Sequence, residues 1–173
     1  ALVAYVGITP FIVTLGMLSM ARGSIWVLTK GWPVEEISPS FMVIGQGDYL
    51  GIPIPVIIMI VLALATHVFL RYSVFGRRVF AIGGNEEATR LSGVRVGFHK
   101  TMVYAVSGVT SAVAAVTLTA RLNSAQPIAG MMYELDAIAA TVIGGTSLLG
   151  GSGTLVGTLI GALIMGVLRN GLN

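Results

Sequence analysis

Residues 71–100 read RYSVFGRRVFAIGGNEEATRLSGVRVGFHK and form the one long polar passage between strongly apolar segments. Apolar runs border this passage on both sides, at 53–70 and at 101–120. Six of the ten Lys and Arg residues lie inside it, against only two acids, Glu86 and Glu87. Loops rich in Lys and Arg beside membrane spans stay on the cytoplasmic side. We therefore expect 71–100 to be a cytoplasmic loop, and the rest of the chain is oriented from it.

A short helix is predicted inside this loop, over 85–92. Asn85 can cap its start by accepting a hydrogen bond from a free backbone N–H, and the two glutamates follow in the first turn, where the helix dipole favours negative charge. Gly93 tolerates the positive φ of a C-terminal stop. A helix of about two turns is too short to be stable alone in water, so it needs a partner surface. From the residues alone, a connector helix packed on its own protein and a helix that docks elsewhere are equally open.

The composition favours a membrane protein. Of the 173 residues, 55% are hydrophobic and 10% are charged, and the mean hydropathy is +0.90. A soluble domain usually carries about 25% charged residues. The net charge of +3 comes largely from the loop, and no basic run interleaved with stacking aromatics indicates nucleic-acid binding. The absence of Cys excludes disulfides and Cys-ligated metals. We expect an all-α integral membrane protein, a polytopic helical bundle with short or interrupted helices.

Two segments before the loop complete the predicted topology. The apolar segment 8–28 contains Arg22, which is costly at the bilayer centre. Two readings stay open: a shorter or interrupted helix with Arg22 near its end, or a plain tilted span with a snorkelling Arg22. Residues 30–52 carry one Lys against three acids and are predicted to be a turn-rich external loop. Because the chain begins and ends among apolar residues, we expect it to be a fragment of a longer membrane protein.

The last part of the chain holds two short apolar runs, at 137–149 and 155–168, separated by GGSG at 150–153. Short, Gly-interrupted apolar segments are typical of discontinuous helices that line a transport path, although oligomer packing could explain them too. Within this part the glycines expected to pack helices closely repeat at every fourth residue: Gly153, Gly157 and Gly161. Glu134 and Asp136 lie at a predicted helix start, where acids are favoured. No nucleophile or metal-binding His accompanies them, so neither a catalytic nor a metal site is predicted.

Candidate residues for a solute path are chosen by polarity and position alone. Helix packing explains small and hydroxyl-bearing residues within spans by default, and a polar path is the sharper alternative. The candidates are Thr14, Ser111, Asn123, Thr141 and Thr146.

Two long stretches carry a resemblance to a known family. GRRVFAIGGNEEATRLSGVRV at 76–96 and ARLNSAQPIAGMMYELDAIAATVIGGTSLLGGSGTLVGTLIGALIMGVLRNGL at 120–172 look like the permease subunit of bacterial ribose/xylose-type sugar ABC importers. TPFIVTLGMLSMARG at 9–23 and YLGIPIPV at 49–56 are similar to the same family. The resemblance covers nearly the whole chain. Family permeases are longer, so the resemblance implies that an N-terminal half and a last span are missing here.

The resemblance implies a single transmembrane permease domain, 1–173, in the bacterial inner membrane. It would form the path of a monosaccharide importer with a second permease copy, cytoplasmic ATPase subunits and a periplasmic or lipid-anchored sugar-binding protein, surrounded by membrane lipid. The loop helix would dock on the ATPase. The implied coupling residues are Gly84, Asn85, Glu86, Glu87, Ala88, Arg90, Leu91 and Gly93, and the spacing of Glu87, Ala88 and Gly93 is similar to the coupling signature of ABC permeases.

ATP chemistry is expected in the partner subunit. The chain has no G-x-x-x-x-G-K-[ST] phosphate loop, so we expect no enzyme activity and no cofactor here, with ATP and Mg bound by the ATPase. The closest alternative is an ABC permease for autoinducer or branched-chain amino acids. A secondary transporter would normally need an intramembrane carboxylate, and no acid lies in mid-span. An intramembrane enzyme would need a motif such as H-E-x-x-H or G-x-S-x-G, and neither is present.

Overall fold

The computed structural model describes residues 2–35 and 37–171, and these residues are mostly helical. A π-helical segment, Leu2–Val6, comes first. The α-helices are α1 Pro10–Thr29, α2 Pro39–Gln46, α3 Ile54–Tyr72, α4 Val74–Gly84, α5 Glu86–Leu91, α6 Val96–Leu122, α7 Tyr133–Ile143 and α8 Leu155–Gly171. Between α2 and α3, strands β1 Asp48–Tyr49 and β2 Ile52–Pro53 pair antiparallel in a small hairpin. The prediction of an all-α membrane protein is confirmed.

Three helices are long and apolar enough to cross a membrane: α1, α3 and α6, with 20, 19 and 27 residues. Their most apolar windows contain no buried residue. In water such exposure would be unfavourable, whereas in a bilayer apolar side chains can face lipid or neighbouring helices. The α8 helix is apolar but shorter, with 17 residues. The α7 helix has 11 residues, which corresponds to about 16 Å, well short of the hydrocarbon core.

The α1 helix is continuous, so the interrupted reading of 8–28 is wrong. Proline starts the helix at Pro10, where the missing N–H costs nothing. Arg22 lies in the second half of α1, well before its last residue, Thr29. The hydroxyls of Ser24 and Thr29 donate to backbone carbonyls one turn earlier, at 2.8 Å each. Such internal bonds satisfy polar side chains where no water is available.

The segment 71–100 is more helical than the sequence predicts. The α3 helix ends at Tyr72 rather than at residue 70, and α6 begins at Val96 rather than at 101. The α4 helix between them was not predicted, because its glycines lower helix propensity. It forms because Ser73 caps its start and because Phe75, Val79 and Ile82 share an apolar face, half-buried, while Arg77 and Arg78 are exposed.

Contacts divide the chain into two compact units. The first contains Ala1–Leu62 and Lys100–Ala129. Within it, the N–H of Val34 donates to the Ala125 carbonyl at 3.0 Å, and the N–H of Ala125 donates back at 2.9 Å. The Gln46 amide donates to the Arg121 carbonyl at 3.2 Å. The loop predicted to be external, 30–52, therefore packs on the end of α6 and on the residues that follow it.

The second unit contains Ala63–His99 and Gly130–Asn173. In it, α7 and α8 form a tightly packed hairpin through glycine. A Cβ on Gly161 would collide with the Ala140 carbonyl, and one on Gly157 would collide with the Gly144 carbonyl. Small residues at such positions let helix backbones approach closely, which replaces the missing hydrophobic drive between helices in lipid. The prediction of one permease domain over 1–173 stays a prediction.

Candidate coupling site

The α4 helix positions the candidate coupling helix. Its cap is Ser73, whose hydroxyl accepts from the Gly76 N–H at 2.9 Å. Gly76 is buried, and a Cβ there would collide with the carbonyl of Leu70 at the end of α3. The aromatic ring of Phe75 lies 5.4 Å from that of Phe69 on α3. These contacts attach the start of α4 directly to the end of a membrane-crossing helix.

A buried histidine completes this attachment from the start of α6. His99 is 4% exposed and stacks on Phe75 with ring centroids 5.0 Å apart. Its Nδ1 lies 2.9 Å from the Arg95 carbonyl, which gives the ring a hydrogen-bond partner. The sequence pattern did not predict the burial of His99. Its signal was its spacing four residues after Arg95 in an apolar context, which alone does not show burial.

The α5 helix is confirmed with nearly the predicted bounds. The Asn85 side-chain oxygen accepts from the Ala88 N–H at 2.9 Å, as expected of an N-cap. Glu86 pairs with Arg90 at 3.1 Å, one turn later. Gly93 follows with φ +81°, and its N–H donates to the Arg90 carbonyl at 3.0 Å. Local side-chain and backbone bonds therefore define both ends of this short helix.

The two faces of α5 differ in what they contact. Thr89 faces inward: it is 8% exposed, and its hydroxyl donates to the Asn85 carbonyl at 2.7 Å. On the other side Glu87 and Ala88 are exposed, and Leu91 is 84% exposed. The outward face of α5 is therefore open to contact with another protein. Gly84 is exposed as well and directly precedes the cap.

The candidate path residues fall in both units. In the first unit, Thr14 is exposed, and its hydroxyl donates to the carbonyls of Pro10 and Phe11 at 3.0 and 3.1 Å. Ser111 is exposed on α6, and Asn123 follows that helix with φ +52°. Asn123 thus belongs to the turn that ends α6, where a short polar side chain tolerates the left-handed conformation.

In the second unit, Thr141 and Thr146 lie close together at the end of α7. The Thr141 hydroxyl donates to the Ile138 carbonyl at 2.8 Å, and the Thr146 N–H donates to the Thr141 carbonyl at 3.0 Å. A Cβ on Gly153 would lie 2.8 Å from the Thr146 hydroxyl. Gly153 therefore packs on this threonine from a position just before α8, whereas Gly157 and Gly161 lie within α8 and contact α7.

An ion pair that was not predicted from the sequence joins the start of α7 to the end of α8. Arg169 donates to the Asp136 carboxylate at 2.6 Å, and its guanidinium lies 5.1 Å from the centre of the Tyr133 ring. A shallow groove of about 270 Å³ lies beside them. The sequence signal was an acid in the first turn of one short apolar helix and a base in the last turn of the next. Within 2–35 and 37–171, no group of three or more His, Cys, Asp or Glu residues is placed to hold a metal.

Comparison with known proteins assigns the chain to a family. The family described as "Branched-chain amino acid transport system / permease component" matches residues 1–173. The ribose import permease protein RbsC of Bacillus subtilis is 51% identical over 166 residues, which cover 95% of this chain and 52% of that protein. RbsC of Haemophilus influenzae is 52% identical over 168 residues, covering 94% and 52%. The D-allose transport system permease protein AlsC of Escherichia coli is 41% identical over 172 residues, covering 99% and 53%.

No solved structure matches this chain. The chain spans about half the length of the curated relatives that it matches. The resemblance to sugar permeases is confirmed by these relatives. The family match and the three long apolar helices confirm the prediction of a multi-pass protein of the bacterial inner membrane. The chain belongs to the family of branched-chain amino acid transport system permease components.

Proposed function

We propose that the full-length protein containing this chain is the permease subunit of an ATP-driven importer for a monosaccharide of the ribose class. The relatives at 51% and 52% identity are named as ribose import permeases. The single observation that supports a coupling mechanism is the exposed face of α5, with Glu87 and Leu91 outward on a helix whose inner face is already packed.

The coupling residues act as a capped, charged docking element. Asn85 and Gly93 define the ends of α5, Thr89 attaches its inner face, and Leu91 with Ala88 offers apolar contact to an ATPase subunit. Leu91 would enter an apolar pocket of the ATPase subunit. Burial of its side chain there would contribute about 1.5–3 kcal/mol to the binding free energy. Glu87 would meet a cation of the ATPase and set the orientation of docking. Gly84 is the last residue of α4 and directly precedes the cap.

The mechanism is alternating access driven from this helix. ATP binding closes the ATPase dimer and moves α5, and the attached helices α3 and α6 tilt with it, because α4 packs on the end of α3 and His99 at the start of α6 stacks on α4. The path between two permease copies then opens to one side at a time. ATP and Mg are bound by the ATPase, and this chain performs no hydrolysis. A periplasmic or lipid-anchored binding protein delivers the sugar to the external side.

A second candidate substrate class is branched-chain amino acids. The observation that favours it is the description of the matching family. Monosaccharides remain the better proposal, because two relatives that match 99% of the chain are named for D-allose and L-arabinose transport. Uptake by the full-length complex from a panel of pentoses, hexoses and branched-chain amino acids separates the two classes, and uptake of leucine without ribose would contradict the sugar assignment.

The test of coupling uses Glu87→Lys in the full-length protein, reconstituted with its ATPase and binding protein. Reversing the charge places a cation where a carboxylate docks, so we expect sugar-stimulated ATPase activity and uptake to fall about tenfold or more. The amount of permease in the membrane should not change. Arg78→Gln is the matched control, since Arg78 is exposed on α4 and five other basic residues keep the loop orientation. Undiminished uptake by Glu87→Lys would contradict the coupling role.

A further inference from the structure

The end of α4 touches the turn of the α7–α8 hairpin through bare main chain. A Cβ on Gly151 would lie 2.9 Å from both the N and the Cα of Gly84, and one on Gly150 would lie 3.0 Å from the Cα of Gly83. A Cβ on Gly83 would collide with the backbone N of Gly151. We call this contact of Gly83–Gly84 with Gly150–Gly151 the glycine joint. Two segments more than 60 residues apart meet here with no side chain between them.

On one side, the glycine joint connects to α5 without a flexible linker. Asn85 directly follows Gly84 and is both the C-cap of α4 and the N-cap of α5. Its N–H donates to the Ala81 carbonyl at 3.0 Å, which ends α4, and its side chain caps α5. A displacement of α5 therefore acts on the glycine joint across a single residue that is held by hydrogen bonds in both directions.

On the other side, the glycine joint lies in a turn that is closed on itself. The Ser147 N–H donates to the Ser152 carbonyl at 3.0 Å, and the Gly150 N–H donates to the Ser147 carbonyl at 3.1 Å. Beyond the turn, Gly157 and Gly161 hold α8 against the backbone of α7. The turn and the two helices are thus connected by main-chain contacts, which leave little room for side-chain rearrangement to absorb a displacement.

We propose that the glycine joint transmits the displacement of the coupling helix α5 to the α7–α8 hairpin. The inference rests on the proposed function, because it requires an ATPase that moves α5. Close-packed protein has low compressibility and transmits strain, and contact between main chains removes the rotamer freedom that a side chain would add. Gly83 and Gly151 are positioning residues in this scheme: they touch no solute and act by keeping the two backbones in contact. The α7–α8 hairpin is then a moving part rather than a passive wall of the path.

The test follows the hairpin turn with a reporter. Leu149 is 95% exposed and borders the glycine joint, and these 173 residues contain no Cys. Leu149→Cys is labelled with an environment-sensitive fluorophore in the full-length complex, after replacement of any cysteine elsewhere, and uptake is checked first. We expect addition of ATP with the sugar-loaded binding protein to change the fluorescence. Gly83→Ala should reduce that change and the sugar moved per ATP about tenfold, the effect of some 1.4 kcal/mol of overpacking, while the ATPase still co-purifies.

Gly166→Ala is the matched control, because a Cβ there would meet no atom within 4 Å. We expect it to keep both the fluorescence change and the transport ratio. A silent reporter in a wild-type complex that transports sugar would overturn the glycine joint and leave the proposed function intact. A wild-type complex with no ATP-driven uptake would overturn the proposed function and the inference with it. If Gly83→Ala fails to accumulate, the wild-type reporter still decides; a normal response in a Gly83→Ala complex that does accumulate contradicts the proposal.

Discussion

The short helix α5 with its flanking residues, 85–93, and the α7–α8 hairpin belong to one compact unit, yet different interactions hold them. In α5, side chains bond to backbone groups three or four residues away, as the Asn85 cap and the Thr89 hydroxyl show. In the hairpin, backbones touch directly at Gly157 and Gly161, with no side chain between them. Loss of a side-chain hydrogen bond affects only the nearby turn. A contact between two backbones leaves no space for an added side-chain atom.

This difference teaches where stability and coupling reside. A cap contributes about 1 kcal/mol and acts within one turn. A collision with backbone moves whole helices, because close-packed elements have discrete arrangements rather than soft ones. We therefore expect substitutions of the packed glycines in the hairpin to change the stability of the full-length protein, and substitutions on α5 to change local order or docking.

The largest effect is expected from Gly161→Val. The added side chain would collide with the Ala140 carbonyl of α7. The two helices of the hairpin should therefore move apart, and the free energy of unfolding should fall by about 3 kcal/mol. Thermal unfolding of the purified full-length protein in detergent measures the change. Gly166→Val is the control, since that position faces open space. Equal losses in both variants would show that glycine packing does not distinguish the two faces of α8.

A smaller effect is expected from Asn85→Ala. Loss of the cap leaves the Ala88 N–H without its side-chain acceptor and should cost α5 about 1 kcal/mol. Amide hydrogen exchange in α5 should then become roughly fivefold faster, with little change in global unfolding. Asn170→Ala, at an exposed position near the end of α8, should leave exchange in α5 unaltered. Unchanged exchange in Asn85→Ala would mean that the burial of the inner face of α5 at Thr89 holds this helix instead.

The smallest effect is expected from Arg169→Gln. The side chains of Arg169 and Asp136 are 56% and 39% exposed, and exposed ion pairs contribute about 0–1 kcal/mol. Thermal unfolding of Arg169→Gln, Asp136→Asn and the double variant isolates the pairwise energy. A coupling of several kcal/mol would place the pair in surroundings poor in water, and the hairpin would then depend on charge as well as on glycine packing.

Most of the fold could be predicted from particular local signals. Composition and run length identified α1, α3 and α6 as spans, and Asn85 with Gly93 identified α5 almost to the residue. The α4 helix was missed because Gly76 and Gly83 lower helix propensity, while the contact that requires each glycine lies on another segment. The burial of His99 and the pairing of Val34 with Ala125 were not predicted either, because the partner of each residue lies on a distant segment of the chain.

Within the candidate site, the residues of α5 were predictable because capping depends on atoms three or four residues apart. Their roles in docking stay predictions. The path candidates show that polarity alone is a weak signal. The hydroxyls of Thr14 and Thr141 both donate hydrogen bonds to nearby backbone carbonyls. A hydroxyl in a membrane span can donate to a carbonyl of its own helix as readily as it can bind a solute, and residue type alone does not distinguish the two roles.

The sequence by itself determined that the chain is a membrane protein and which of its segments can cross the bilayer. It also determined that the polar loop contains a short capped helix. These properties depend on transfer of apolar side chains from water and on hydrogen bonds within one turn, and both are local. Only the tertiary structure decided which backbones touch: Gly83 with Gly151, and Gly161 with Ala140. The sequence alone does not show whether a glycine belongs to a turn, a flexible linker or a close contact between backbones, because its structural role depends on which other segment packs against it.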